Sequence, residues 1–193
     1  MMPLGIEFCK GLAAAGLGGE SVIEIGSRPA SGQEERANLR PIFNSAEYVG
    51  VDIQAGTGVD LVWDGEHIDD HYPKHYFELG VTIDTLEHTY KPYDMVVALA
   101  EVAVHVGLRA PFACPIHEHP FDFWRLTPSL VARILKELRP YGFSAQDPGM
   151  VATGNSTPDE WPNGSYGFAT DNEGVRQQVL SKMPGSLKII EVW

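Results

Sequence analysis

The chain has 193 residues, 44 % hydrophobic and 21 % charged, which is ample for one packed core and too short for two comfortable domains. Its formal net charge of −12, its pI near 4.9 and the lack of any basic run exclude a broad nucleic-acid or acidic-membrane surface, because those partners require clustered Lys and Arg. Cys9 and Cys114 have no metal-ligand spacing and form no disulfide framework, and Met1 to Phe8 lacks the basic flank of a signal peptide. No apolar run approaches the roughly 18 residues that span a bilayer. The expectation is one soluble, cytoplasmic domain, with a core from about residue 20 to 170 and a C-terminal extension over 171–193.

Phe8 to Leu17 reads as an alanine-rich helix ending at Gly18-Gly19. Ser21 to Gly26 (Ser-Val-Ile-Glu-Ile-Gly) is a β-branched run that stops at a glycine, the signature of a buried strand entering a tight loop. Gln33 to Phe43 predicts a short helix bent or ended by Pro41. A second strand, Tyr48 to Ile53, ends on Asp52, where an open α/β sheet places the acid that accepts ribose hydroxyls. Gly58 to Trp63 predicts a third strand delivering Asp64 and Gly65 to the same edge, and Asp64 also suits a helix N-cap. His67, His71 and His75 are spaced by four, but Pro73 interrupts the helix that would align them on a metal.

Phe77 to Asp84 is the expected fourth strand, followed by Thr85-Leu86-Glu87-His88-Thr89. Lys91 to Val106 predicts an amphipathic helix with proline in its first turn and Gly107 as its stop. Leu108 to Cys114 is the expected fifth strand, and Thr127-Pro128 opens a helix to Leu138. A sixth strand is expected within Phe143 to Thr153, a seventh over Ser165 to Thr170 and a last helix over Asp171 to Met183.

The segments Glu24-Ile-Gly-Ser-Arg28, Tyr48 to Ile53 and Phe77 to Thr89 together resemble the class I S-adenosylmethionine-dependent methyltransferases, over roughly Ser21 to Phe143. The Leu86-Glu87-His88 element and Asp52 are the most specific parts; the loop departs from the family's alternating glycines, with Ser27, Arg28 and Pro29 in their place. The resemblance implies a Rossmann-like, doubly wound, mostly parallel seven-stranded α/β sheet with helices on both faces. It implies S-adenosylmethionine as cofactor, S-adenosylhomocysteine as product and no metal. It places the cofactor against Glu24, Gly26, Ser27, Arg28, Asp52, Ile53, Asp64, Gly65, Asp84 and Leu86. A nicotinamide-dependent oxidoreductase is opposed by the missing second glycine that a pyrophosphate needs, and a non-catalytic scaffold domain is the other alternative.

The segment Pro115 to Pro128 carries two histidines, three aromatics, two acids and an arginine directly after a strand that ends at the ligand edge. Similar His-x-x-Pro-x-Asp-aromatic-Trp-Arg strings occur in methyltransferases associated with sugar and surface-polysaccharide pathways, so the resemblance implies a small-molecule or glycan acceptor, methylated at oxygen. Three readings of this loop stay open: acceptor recognition by Asp122, Trp124 and Arg125 with His117 or His119 as base; a His117-x-His119 plus Asp122 metal site; and a rigid lid in which Asp122 pairs with Arg125. His88 reads either as a base or as a residue that holds its loop.

Overall fold

Every position of Val22 to Ile25 is buried, so the run Ser21–Ile25 (β1) needs cover on both faces and a strand on each side. It has both, pairing in parallel with Glu47–Asp52 (β2) and with Phe77–Ile83 (β4). The computed structural model describes residues 3–35, 37–117, 121–138, 150–154, 163–185 and 187–189. The remaining strands are Leu61–Val62 (β3), Ala103–Ala113 (β5), Met150–Gly154 (β6), Asn163–Ala169 (β7) and Leu187–Ile189 (β8). They form one sheet in the order β3-β2-β1-β4-β5-β7-β6-β8.

β1 to β5 run parallel, whereas β7 is antiparallel to both β5 and β6, and β8 is antiparallel to β6. The doubly wound, mostly parallel α/β architecture is therefore as expected, and its switch point between β1 and β4 opens a crevice at the carboxyl ends of the strands. Among the described residues the sheet has eight strands instead of seven. β8 falls where an extension was expected, because Leu187 finds cover in the core.

Helices lie on both faces. Pro92–Val102 (α3) and Pro128–Glu137 (α4) bury Val96, Leu99, Val131 and Leu135 against Ile23, Ile25, Val106 and Leu108. On the other face Pro3–Ala14 (α1) sets Phe8 and Leu12 against Val22, Val81, Tyr166 and Phe168, and Val179 of Glu173–Lys182 (α5) joins the same cluster. The alternation of neighbours such as Val22 and Ile23 between the two clusters is the period of two of a strand covered on both sides.

Several boundaries differ from expectation, among them the first helix, Pro3–Ala14 in place of Phe8 to Leu17, and the third strand, Leu61–Val62 in place of Gly58 to Trp63. Pro41 sits in the first turn of the four-residue helix Arg40–Phe43 (α2), starting it where an ending was expected, since proline lacks only an N–H that the first turn leaves unpaired. The helix expected to reach Val106 stops at Val102, and β5 begins at the next residue. Pairing of β5 with β4 from Phe77 and Ala103 onward recruits the alternating Val104 and Val106 into the sheet, so Gly107 is a strand residue.

The tips of β4 and β5 are joined by a buried ion pair. Ile83 stands beside Arg109 in register, and Asp84 turns into the left-handed region at φ 55°. Its backbone N–H donates to the Arg109 carbonyl at 2.9 Å, and its carboxylate pairs with the Arg109 guanidinium, which is 1 % exposed. That guanidinium also lies over the Tyr166 ring, 5.8 Å from its centroid. Removing one member of such a pair strands the other charge in low dielectric, which costs about 3–5 kcal/mol. Asp84→Ala is therefore expected to lower unfolding free energy by about that amount in urea titrations, and the double variant Asp84→Ala/Arg109→Met to recover most of it.

Candidate functional site

The ends of β1, β2, β4 and β5, with the turns that follow, enclose a cavity of about 750 Å³, within the range of small-molecule sites. Its first wall is the turn after β1. Gly26 has φ 83°, and a Cβ there would lie 2.0 Å from the Thr85 hydroxyl, so only glycine fits. The Gly26 and Ser27 N–H groups donate to the Val51 carbonyl at 2.8 and 3.1 Å, locking this turn onto β2. Asp52, at the end of β2, accepts from the backbone N–H of Arg28 at 3.4 Å and of Gln54 at 2.9 Å. Both contacts fix the carboxylate at the cavity wall beside exposed Ile53.

Glu24 lies in the same wall, 5 % exposed, and accepts from the Tyr48 hydroxyl at 2.6 Å. Burial drives its pKa up to about 7, against the lowering influence of Tyr48 and Arg40. Asp64 and Gly65 complete this end. Asp64 accepts from Glu66 N–H at 3.0 Å as the N-cap of the 3₁₀ helix Gly65–Asp70, so it is a cap and a lining residue at once.

The second wall comes from the loops after β4 and β5. Glu87 is fully buried, with His88 Nε2 at 3.7 Å and His117 Nε2 at 3.8 Å from its Oε1. The two imidazoles meet edge to face, 5.1 Å apart. The His88 Nδ1 donates to the Phe121 carbonyl, and the Phe123 N–H donates to the Glu87 carbonyl at 2.8 Å. Phe121, Phe123 and Tyr90 supply apolar surface. The Glu87 carboxylate, foremost among its neighbours, raises the pKa of His117, with burial opposing it.

The loop is held by Asp122 and Arg125. The guanidinium donates to both Asp122 oxygens, at 2.5 and 2.7 Å, and to the carbonyls of Cys114 at 3.0 Å and Pro115 at 2.9 Å. Asp122 also accepts from His117 N–H at 2.7 Å. Arg125, before all other influences, lowers the Asp122 pKa to about 2.

Of the predicted residues, Glu24, Gly26, Ser27, Arg28, Asp52, Ile53, Asp64, Gly65, Asp84, His88 and His117 all line the cavity. Four do not stand where expected. Leu86 is 0 % exposed in the core, since the turn after β4 points it inward and Glu87 outward to the site. Asp122, Trp124 and Arg125 lie off the cavity wall: the bidentate pair spends its polar atoms on the loop itself, and Trp124 is 40 % exposed. His119 lies outside the described residues. His67, His71 and His75 form no three-ligand group among the described residues, because the backbone is non-helical at His67 and left-handed at His75. Glu87 stood out in the sequence only as part of the Leu86-Glu87-His88 element and not as a site residue; Thr85, Phe121 and Phe123 also line the cavity without having been expected.

No protein-family profile matches the chain, and no curated protein matches it in sequence. Solved structures do. The plantazolicin methyltransferase BamL, in complex with a triazolic desmethylPZN analog and SAH, superposes with TM-score 0.59 over 88 % of this chain and 84 % of its own, at 13 % identity. A SAM-dependent methyltransferase from Archaeoglobus fulgidus gives 0.55 over 79 % and 86 % at 14 % identity. One from Aquifex aeolicus gives 0.53 over 86 % and 93 %, again at 14 % identity. The fold is that of the S-adenosylmethionine-dependent methyltransferases. In this chain the methyltransferase fold carries Glu24 and Asp52 on one wall of its cavity and Glu87, His88 and His117 on the other.

Two electrostatic consequences are measurable. Glu24 keeps its proton in the native state up to about pH 7, so the native state is favoured below the unfolded carboxyl's pKa and loses that advantage as pH rises from about 4.5 to 7. Relative to Glu24→Gln, the wild type is expected to lose roughly 3 kcal/mol of unfolding free energy across that interval, read from paired denaturant titrations. Asp122 has the opposite sign: its stabilising effect is present above pH 4 and lost towards pH 2. Asp122→Ala at neutral pH is expected to cost about 2–4 kcal/mol and to raise amide exchange across 114–117 and 121–126.

Proposed function

We propose that the chain is a methyltransferase that uses S-adenosylmethionine to methylate a hydroxyl of a small-molecule or sugar acceptor. The observation that supports this most is the joining, in one cavity, of a ribose-type acceptor, Asp52, with two imidazoles, His88 and His117. In this reading Asp52 takes the ribose hydroxyls beside Gly26, Ile53 covers the base, and Asp64 and Gly65 border it. The buried Glu24 attracts the cofactor's ammonium, which returns the carboxyl to its charged form. Ser27 and Arg28 offer donors to the cofactor carboxylate.

Methyl transfer from a sulfonium asks for alignment more than for covalent help. Holding nucleophile, methyl carbon and sulfur in line corresponds to effective molarities of about 10⁵–10⁸ M, or roughly 7–11 kcal/mol of barrier. A hydroxyl must also lose its proton, and basic nitrogen beside the acceptor space answers that need. As oxygen takes the methyl group, the carbon–sulfur electron pair returns to sulfur and leaves S-adenosylhomocysteine. The aromatic surface of Tyr90, Phe121 and Phe123 suits stacking against a sugar or ring acceptor.

The test is calorimetric titration with S-adenosylmethionine and, separately, NADH. Wild type is expected to bind the first and not the second, and Asp52→Ala to lose about 1.5–3 kcal/mol of binding energy, as for a charged hydrogen bond. A folded wild type that binds neither returns the chain to the scaffold alternative.

A further inference from the structure

The Glu87, His88 and His117 cluster has a feature that base catalysis does not require. Each imidazole spends its Nδ1 on groups that accept: His88 on the Phe121 carbonyl, His117 on the Pro115 carbonyl at 3.2 Å and near the Asp122 carboxylate at 3.4 Å. A carbonyl can only accept, so both Nδ1 atoms carry the proton, and in the neutral rings both Nε2 atoms present lone pairs. These lone pairs face the Glu87 carboxylate, whose side chain is 0 % exposed and whose two oxygens have no hydrogen-bond partner among the described residues. Three atoms able to ligate a metal thus converge, all within 4.8 Å of one another. The separations of 3.7 and 3.8 Å are too long for hydrogen bonds. They lie just outside the roughly 3.0–3.5 Å that bonds of about 2.0–2.2 Å to one ion would impose.

We propose that Glu87, His88 and His117 bind a divalent first-row transition ion. Two imidazoles and one carboxylate are the donor set suited to zinc, manganese, iron or cobalt, and nitrogen donors disfavour magnesium and calcium. The carbonyls on Nδ1 supply the outer contacts that orient ligating histidines. Because all three side chains border the cavity, the remaining coordination positions open on the acceptor space. Resting on the methyltransferase reading, the ion takes the place of the free imidazole base: an acceptor hydroxyl bound to it loses its proton to solvent at neutral pH, and the oxygen then takes the methyl group as the C–S bond breaks. No redox change is involved. This reverses the expectation of a metal-free site, and it moves Glu87 from an unassigned buried acid to the anchor of the centre.

Titration of the chelator-stripped full chain with Co2+ tests the site independently of the methyl donor. The expected result is one equivalent bound, with ligand-field absorption in the visible that Zn2+ abolishes. Glu87→Gln and the half-exposed His117→Ala are each expected to weaken Co2+ by more than the 10–100-fold typical of an outer-contact change, while S-adenosylmethionine affinity stays within about threefold. Wild type that takes up no Co2+, Zn2+ or Mn2+ while still binding S-adenosylmethionine overturns the proposal. So does Co2+ binding that survives His117→Ala in a variant with native circular dichroism, which would place the ion elsewhere. Loss of S-adenosylmethionine binding by the wild type would instead sink the methyltransferase reading and leave the Co2+ result standing on its own.

Discussion

The buried pair between Asp84 and Arg109 is the contact on which the working end of this molecule depends. Both residues sit where parallel strands finish, and all the loops that border the cavity leave from such ends. A guanidinium with 1 % exposure is held by a carboxylate only one strand away, and the left-handed turn at Asp84 is what aims that carboxylate sideways. Coulomb attraction in this low-dielectric position is strong, but so is the cost of removing both charges from water. The pair therefore contributes registration more than net stability: it sets where β4 and β5 stop relative to each other. From that common line, Glu87 and His88 hang from one strand and His117 from the next.

A second restraint works one layer out. Arg125 bridges Asp122 to the carbonyls of Cys114 and Pro115, which closes the segment from 114 to 125 on itself. The bidentate geometry defines an orientation as well as a distance. His117 N–H joins the same carboxylate, so the imidazole is presented to the cavity from a backbone that has little freedom. Catalytic and binding geometry placed on a loop requires such support, because a misplacement of about 1 Å is enough to lose most of the benefit of alignment.

The cavity is electrostatically divided. Its first wall holds a buried carboxyl that keeps its proton near neutrality and an aspartate already tied by two backbone N–H groups; both suit a ligand with hydroxyl and cationic groups. Its second wall brings two imidazoles up to a carboxylate without hydrogen-bond partners among the described residues. Both walls rest on a sheet whose two faces are covered by helices, so neither site can relax toward the other without disturbing the packing of Ile23, Ile25, Val106 and Leu108.

The order of elements, the strand ending at Gly26, the acid ending the second strand and the Glu-His pair after the fourth are properties of short local pattern, and they were legible in the residues alone. A β-branched run followed by glycine needs no distant partner to be recognised. What the sequence could not determine depended on neighbours far along the chain. Pairing with Phe77 turned Val104 and Val106 from helix to strand, since packing overrides propensity for alternating valines. Arg109, by sequence no more than a member of the expected fifth strand, became the buried partner of Asp84. Asp122 and Arg125 carried the chemistry of a substrate site in their names, but proximity to Cys114 and Pro115 made them struts. Glu87 gained its meaning only when β5 brought His117 within 3.8 Å, 30 positions further along. Local pattern fixes which side chains leave a strand end, and only the lateral order of the strands decides which of them meet.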